Sequence, residues 1–341
     1  MTKRHRPKGN RQQHPKTTPH PPKRKSRLAK CTPKSSTEGA IKTITASTLQ
    51  GKKFPPLRYA VDGYLAEGLT LLAGKPKIGK SWMALDFAMA VATGGLALGS
   101  AQCRIGPVLY CALEDNHRRL QRRMSKLYGE VEDWPPGLHF ATQVKRLDDG
   151  LIDDLRDWIE THHPNLVIID TFAGVRPQGR RDGYDADYSA LSPLQEMAGE
   201  LGVAILVIHH LRKMPGDDPF DMISGTTGLT GAVDTPFVLH RGKQGVTLYG
   251  RGREIEEMEQ AVEFVGGAWK VLGDAVEVRR SEERNAILEV LVGADEPMGP
   301  KEIADALGWK TDNVKQLVFK MHKDGEINKR GRGRYCAADE K

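Results

Sequence analysis

Four residues in the stretch LLAGKPKIGKSW, positions 71–82, have the spacing GxxxxGK[S/T] that is typical of a phosphate-binding loop. In this pattern the backbone N–H groups of a turn surround a triphosphate, the lysine reaches the β- and γ-phosphates, and the hydroxyl group binds Mg²⁺. Lys80 and Ser81 are therefore predicted to contact ATP and Mg²⁺. A lysine-rich surface turn without a ligand is the alternative. The residues predicted to bind the nucleotide are Gly74, Lys75, Pro76, Lys77, Ile78, Gly79, Lys80, Ser81 and Trp82.

Carboxylates end two further apolar stretches. Asp170 ends LVIID, at the position where a parallel sheet places its ligands, and is predicted to hold Mg²⁺. The alternative is an aspartate that caps a turn before Thr171. Glu114 and Asp115 end CALED. Asp115 is predicted to be the N-cap of the following helix, so Glu114 is the predicted catalytic base that orients and deprotonates the attacking water.

A pair of histidines ends the stretch VAILVIHHLRK. A polar residue at this position, His209 or His210, is predicted to sense the γ-phosphate and to signal its presence to the segment that follows. Two histidines that are simply solvated at a strand end are the alternative. The following segment, residues 213–234, is rich in Gly and Thr, and we expect a mobile loop that contacts a partner.

Apolar strands and amphipathic helices alternate from about residue 56, which predicts a parallel sheet covered by helices on both faces. Strands are predicted at 69–73, 108–113, 138–142, 166–170 and 203–210, and helices at 82–92, 116–129, 153–163 and 190–202. The segments FVLHR, GVTLYGRGREI and AVEFVGGAWKVLG, which follow, have glycine turns and predict antiparallel strands.

The C-terminal pattern is different and predicts a winged helix over residues 278–341. Three short amphipathic helices at 284–293, 300–308 and 310–325 precede a basic β-hairpin. Pro300 suits a first helical turn, and Thr311 is the predicted N-cap of the third helix. A protein-docking module is the alternative to DNA binding. The residues predicted to contact DNA are Asn313, Lys315, Gln316, Lys320, Lys329, Arg330, Arg332 and Arg334.

The order of these motifs resembles the RecA-type ATPase core of the RepA-like hexameric helicases of plasmids and phages. The motifs that carry the resemblance are GKPKIGKS, VLYCALEDNHRRLQRR, LVIIDT, LVIHHLRK and LYGRGREIEE, within about residues 56–272. It implies the same roles for Lys80, Ser81, Glu114, Asp170 and either His209 or His210. It also implies that Arg251 or Arg253 reaches the nucleotide of a neighbouring subunit.

One such core per chain implies that the arginine comes from a second subunit, so assembly is part of catalysis. The expected protein is an ATP-driven DNA motor, a ring of six subunits that moves on single-stranded DNA during replication of a mobile element. Two alternatives stay open. One is a non-motor ATPase of the same fold in recombination or repair, and the other is a DNA-binding regulator that uses the nucleotide as a switch.

Charge is distributed unevenly along the 341 residues. The first 53 residues contain 15 Lys or Arg and one acidic residue, a charge of +14, which leaves −7 for the rest of the +7 total. Residues 1–55 are predicted to be a disordered basic tail that binds nucleic acid phosphates or is merely solvated. Residues 56–273 form the predicted ATPase domain. The absence of a CxxC pair and of a long apolar run predicts reduced thiols, a cytoplasmic location and no membrane contact.

Overall fold

The computed structural model of the protein describes residues 43–129, 133–178, 184–211, 218–223, 228–242 and 245–338. The chain divides into two compact units, Met1–Pro55 and Pro56–Lys341. In the first unit, helix α1 (Ala46–Gln50) follows the N-cap Thr45 and lies inside the stretch predicted to be disordered. Residues 1–42 of that predicted basic tail lie outside the described residues. No helix among the described residues is long and apolar enough to cross a membrane.

The second unit contains all the strands of the described chain and the remaining helices. The strands are β1 (Tyr59–Val61), β2 (Leu65–Ala66), β3 (Gly68–Gly74), β4 (Leu96–Ala97), β5 (Ala101–Gln102), β6 (Val108–Ala112), β7 (Leu138–Ala141), β8 (Leu166–Asp170), β9 (Ala204–His210), β10 (Thr235–Gly242), β11 (Gly245–Gly250), β12 (Met258–Val265), β13 (Ala268–Asp274), β14 (Ile327–Lys329) and β15 (Tyr335–Ala337). The helices are α2 (Lys80–Thr93), α3 (His117–Tyr128), α4 (Leu151–His162), α5 (Phe172–Val175), α6 (Tyr184–Leu201), α7 (Gly228–Ala232), α8 (Ala275–Val292), α9 (Pro300–Leu307) and α10 (Thr311–Lys323), with a 3₁₀ helix at Pro219–Met222.

A nine-stranded sheet, in the order β13-β12-β11-β10-β3-β9-β8-β6-β7, forms the centre of the unit. From β10 to β7 each strand is parallel to its neighbours, whereas β11, β12 and β13 extend the sheet with antiparallel pairing. The predicted α/β class with a largely parallel sheet is confirmed. The prediction for residues 237–241 is wrong in part, because β10 is antiparallel only to β11 and runs parallel to β3. The local pattern indicates the hairpin, while the parallel partner lies far away in sequence.

Helices cover both faces of the sheet because successive strand residues point to opposite sides. In β8, Ile168 belongs to the core under α2 and α3, whereas Ile169 belongs to the core under α4 and α6. The uninterrupted apolar strands therefore fill two separate cores. This arrangement brings the carboxyl ends of β3, β6, β8 and β9 to one edge of the sheet, which is where the predicted chemistry lies.

The C-terminal elements build a third core of their own around Ile287, Ile303 and Val318. Helix α8 begins at Ala275, directly after β13, with Asp274 as its N-cap, so it is longer than the helix predicted at 284–293. Helix α9 begins with Pro300, as predicted.

The predicted N-cap of α10 is wrong. Thr311 is the first helical residue and Lys310 occupies the capping position, without a side-chain hydrogen bond. A threonine beside a helix start satisfies the capping pattern in sequence, whereas the true boundary depends on where the backbone leaves the helix. Strands β14 and β15 form the predicted hairpin.

Two glycines provide a test of the packing between β10 and β11. A Cβ on Gly250 would lie 2.8 Å from Cδ1 of the buried Phe237 ring and 3.0 Å from Met258 Cγ, whereas a Cβ on the α6 residue Gly199 would meet nothing within 4 Å. We expect Gly250→Ala to lower the free energy of unfolding by about 1–3 kcal/mol through overpacking. Gly199→Ala is the control and should raise that free energy by about 0.5–1 kcal/mol, because alanine restricts the unfolded helix segment. Urea unfolding measures both, and a shift of the two variants in the same direction would contradict the described packing.

Candidate nucleotide-binding site

The loop between β3 and α2 has the shape of a phosphate cradle. Strand β3 ends at Gly74, and α2 begins at Lys80 with Gly79 as its N-cap, so the positive end of the helix dipole faces the loop. Gly79 has φ +113°, and a Cβ there would lie 2.8 Å from the Trp269 ring. The Trp269 Nε1–H also donates to the Gly79 carbonyl at 3.0 Å. A buried tryptophan on β13 thus fixes the loop backbone and requires glycine at this position.

Lys80 is a buried cation at the centre of the site, with only 4% of its surface exposed. Its Nζ donates to the carbonyls of Gly74 at 2.7 Å and Lys75 at 3.1 Å, and lies 3.2 Å from His210 Nδ1. Desolvation lowers the pKa of Lys80 to about 8, although the carboxylates of Asp170 and Glu114 act in the opposite direction. An ammonium group held this way is stabilised by any anion that enters the loop.

Asp170 ends β8 as predicted and is also buried. The Tyr110 hydroxyl donates to its Oδ2 atom at 2.8 Å. Desolvation raises the pKa of Asp170, and hydrogen bonds from Ser81 and Tyr110 offset part of that rise. The peptide bond that joins Asp170 to Thr171 is cis.

The residues present fit a Mg²⁺ ion. Oδ1 of Asp170 is buried and accepts no hydrogen bond within the described residues, so one carboxylate oxygen is available to a ligand. With the Ser81 hydroxyl it provides two hard oxygen donors of the kind that Mg²⁺ prefers. Among the described residues no group of three or more His, Cys, Asp or Glu could hold a metal ion. A metal here would therefore share its coordination with the phosphates, as Mg²⁺ in nucleotide sites commonly does.

Glu114 lies beside Asp170 and close to Lys80. Its Oε1 atom accepts a hydrogen bond of 3.1 Å from the Thr171 hydroxyl and lies 3.6 Å from His210 Nε2. Its side chain remains 59% exposed at the mouth of the loop. His210 therefore lies between the ammonium group of Lys80 and the carboxylate of Glu114, with one ring nitrogen toward each.

The two histidines at the end of β9 have different environments. His210 pairs with Gly74 in the sheet register and faces the phosphate loop. His209 instead contacts the ring of Phe172 at 5.8 Å between centroids. Of the two predicted sensors, His210 is the one that this geometry brings to Lys80 and Glu114.

Asp115 is not the N-cap of α3. Asn116 takes that role, and its side chain accepts a hydrogen bond from the Arg119 backbone N–H. Asp115 instead accepts side-chain hydrogen bonds from Arg119 at 2.9 Å and from Arg123. Both residues can cap a helix, so the sequence pattern alone does not separate these neighbours. Glu114 remains the carboxylate that faces the loop.

The other predicted loop residues divide by exposure. Lys75, Pro76 and Lys77 are exposed, Ile78 is buried, and Trp82 is half-buried. The Trp82 ring lies 5.4 Å from both the Arg123 guanidinium and the Lys126 ammonium, and it packs edge-on against Phe264. Trp82 therefore links the start of α2 to α3 and β12.

Arg251 and Arg253 lie away from the loop of their own chain. They follow β11, which is antiparallel to β10, and their backbone N–H groups donate to Pro236 and Asp234 at the beginning of β10. The phosphate loop lies at the opposite, carboxyl end of the parallel strands. The site and these arginines therefore occupy opposite edges of the sheet.

Three residues of the site are absent from the sequence-based prediction. The sequence gives a weak indication of Tyr110, since its hydroxyl group is the polar group of an otherwise apolar strand. Thr171 is adjacent to Asp170, where the sequence indicates only a turn. No sequence pattern near Trp269 indicates a residue of the site, because its contact with Gly79 joins residues 190 positions apart.

One family model and two solved structures are similar to this chain. A family model described as an AAA domain matches residues 35–216, slightly more than half of the chain. A KaiC-like protein from the hyperthermophilic archaeon Pyrococcus horikoshii OT3 is 16% identical, with a TM-score of 0.44 over 63% of this chain and 99% of that one. A DnaB-like replicative helicase, described with its interactions with primase, is 15% identical, with a TM-score of 0.48 over 61% of this chain and 58% of that one. The family match includes the loop, Glu114, Asp170 and both histidines.

The depressed pKa of Lys80 predicts proton uptake when a nucleotide binds. In the free protein Lys80 loses its proton as the pH rises through about 8, whereas bound phosphates favour the charged form and raise its pKa. We therefore expect binding of ADP at pH 9 to take up a proton and to weaken as the pH rises further. Calorimetry in two buffers of different ionisation enthalpy measures this uptake. Lys80→Arg is the control, because arginine stays protonated, and equal uptake by both proteins would contradict the role of Lys80.

Proposed function

Because the chain belongs to the AAA domain family, we propose that its phosphate loop serves an ATPase that works as a DNA motor. The observation that carries this proposal is the convergence of Lys80, Asp170 and Glu114 at one sheet edge, with His210 between the first and the last. In detail, we propose a ring of six subunits, a RepA-like replicative helicase of a plasmid or phage. The family match supports the ATPase, whereas the ring and the DNA motor are proposals.

Each residue has a separate part in hydrolysis. Lys80 contacts the β- and γ-phosphates and neutralises their charge, in place of its present contacts with the loop carbonyls. Ser81 and Asp170 would hold Mg²⁺, which when bound neutralises charge on the phosphate oxygens. Glu114 is exposed enough to reach a water molecule, and the Thr171 hydroxyl orients its carboxylate. His210 contacts both Lys80 and the Glu114 carboxylate, so a phosphate that draws Lys80 away changes the surroundings of the base.

The contacts of the two arginines favour different roles. The Arg251 guanidinium lies 2.8 Å from Asp218 and 3.9 Å from the centre of the Phe220 ring, so its own chain holds it. Among the described residues the Arg253 guanidinium makes one longer ion pair, 3.4 Å to Asp234, and the Arg253 side chain is 68% exposed. We assign Arg253 as the residue that reaches the nucleotide of the neighbouring subunit, and Arg251 as the residue that positions the loop around it.

The contacts of Arg251 also support a connection to DNA. Asp218 and Phe220 belong to the segment 213–234, which is predicted to contact a partner. Residues 212–217 and 224–227 of this region lie outside the described residues, and the described part contains the helix Pro219–Met222 and α7. We propose that this segment contacts single-stranded DNA in the channel. A change at the subunit boundary then reaches the DNA through Arg251.

The C-terminal elements support a second DNA contact. Their three helices and hairpin have the order of a winged helix, and Asn313, Lys315, Gln316 and Lys320 are all exposed on α10. Helix α10 would contact duplex DNA, as the third helix of such a module does. Arg334 has a structural role as well, because it pairs with Glu302 at 2.9 Å and holds the hairpin against α9. The basic N-terminal tail would add contacts that do not depend on DNA sequence.

Strand displacement on a forked duplex is the test of this function. We expect the wild-type protein to separate the strands with ATP and Mg²⁺. Glu114→Gln should bind nucleotide with unchanged affinity but lose both hydrolysis and strand separation, because the amide keeps the shape but cannot accept the proton. Hydrolysis without strand separation by the wild-type protein would indicate the non-motor ATPase or the nucleotide-switched regulator instead. Loss of nucleotide binding in Glu114→Gln would make Glu114 a structural residue.

Mixed oligomers test the action of Arg253 on a neighbouring subunit. Arg253→Ala should bind ATP and assemble but hydrolyse slowly, since an arginine of this kind acts mainly on charge that develops in the transition state. Lys80→Ala retains the arginine but has no working loop. Mixing these two inactive proteins should restore activity at boundaries where an intact loop meets an intact arginine. Arg251→Ala is the comparison. If neither variant complements Lys80→Ala, Arg241 is the next candidate for the residue that reaches the neighbouring subunit. Lys243, a further candidate, lies outside the described residues.

A further inference from the structure

Helix α3 carries a row of cations that the ATPase site does not use. Its twelve residues contain Arg118, Arg119, Arg122, Arg123 and Lys126 and no acidic residue. Arg118 and Arg122 lie one turn apart on the exposed face and make no ion pair within the described residues. Like charges at this spacing repel each other, so this face is electrostatically unfavourable in the isolated chain.

The N-terminal end of α3 is fixed beside Glu114. Arg119 and Arg123 both pair with the buried Asp115 carboxylate, and Arg119 also donates to the Glu114 carbonyl at 2.8 Å. These bonds hold α3 at the same sheet edge as the phosphate loop. The exposed arginines therefore have a defined position next to the opening of the site.

The second half of the loop between β11 and β12, residues 254–257, has the opposite charge, and we call it the acidic loop. Glu254, Glu256 and Glu257 are exposed and directly follow Arg253. The loop is well anchored, since the Tyr59 hydroxyl donates to the Glu254 carbonyl at 2.6 Å and the Arg253 N–H donates to the Asp234 carbonyl at 3.1 Å. Glu257 faces Arg251 at 3.7 Å, whereas Glu254 and Glu256 make no ion pair within the described residues.

From this complementarity we infer that the exposed face of α3 docks on the acidic loop of a second copy of this chain. The two surfaces lie at opposite edges of the sheet and do not pair within one chain. The inference rests on the proposed function, in which Arg253 of one subunit reaches the site of the next. Glu256 is three residues from Arg253, at most about 11 Å along the chain, and Arg118 is four residues from Glu114, at most about 14 Å. An arginine that reaches the nucleotide therefore keeps the carboxylates of its own loop in the neighbourhood of α3 of the next subunit, where opposite charges attract.

Charge reversal on each side tests this docking. The assay measures oligomer mass over a range of protein concentrations, with Mg²⁺ and ATP and without DNA. R118E/R122E should raise the concentration of half-assembly by about tenfold or more, and E254K/E256K should do the same. Combining all four substitutions should return that concentration to within about threefold of the wild-type value, because the ion pairs are restored with opposite polarity.

Matched variants separate docking from a general effect of charge. R280E/K301E makes the same change of charge at exposed positions of α8 and α9 and should leave assembly unchanged. R118Q/R122Q removes the cations without adding repulsion and should weaken assembly by a smaller factor. Circular dichroism checks that each variant is folded.

The outcomes also distinguish this inference from the proposed function. If the wild-type protein assembles and Arg253→Ala complements Lys80→Ala, but R118E/R122E assembles normally, the docking inference alone is wrong. Weaker binding of DNA by R118E/R122E with unchanged assembly would make α3 a nucleic acid surface and would also overturn the inference. A wild-type protein that forms no oligomer overturns both proposals.

Discussion

The buried charge of Lys80 is the constraint on which the rest of the structure depends. A buried ammonium group is tolerated only when its donors are satisfied, and here two loop carbonyls and a histidine ring surround it. The carbonyls belong to the end of β3, and the histidine belongs to the end of β9. The lysine can be held in this way only because these two strands are parallel and adjacent, so that both end at the same edge. The order of strands in the sheet is therefore part of the chemistry of the site.

Trp269 extends this dependence to the antiparallel half of the sheet. Its indole N–H bonds the carbonyl of Gly79, and its ring leaves no room for a side chain there. Strand β13, which carries Trp269, continues at Asp274 into α8, the first helix of the C-terminal core. Arg279 of α8 also pairs with Glu259 of β12. A shift of the phosphate loop would thus act on a strand that leads directly into the C-terminal helices, without a flexible linker between them.

The residues of the site that were predictable from the sequence are those whose signal is local. Lys80, Ser81, Glu114 and Asp170 each stand at the end of an apolar stretch or in a fixed spacing, and the structure places all four together. The choice between His209 and His210 was not available from the sequence. Adjacent strand residues point to opposite faces, and only the pairing of β9 with β3 decides which face meets the loop. For the same reason the parallel pairing of β10 and the contact of Trp269 were not predictable, since both depend on partners far away in the chain.

Within one chain, each of the two edges of the sheet carries charged side chains that make no ion pair among the described residues. Among the described residues, Arg118 and Arg122 on the exposed face of α3 make no ion pair at the carboxyl edge, whereas at the amino edge Arg253 is exposed and Glu254 and Glu256 make no ion pair. A two-fold pair in which like edges meet would bring each edge against charge of its own kind. A head-to-tail contact joins unlike edges and satisfies both at every boundary. Head-to-tail contacts of this kind generate rings or filaments, which is the form of assembly that we propose for this chain.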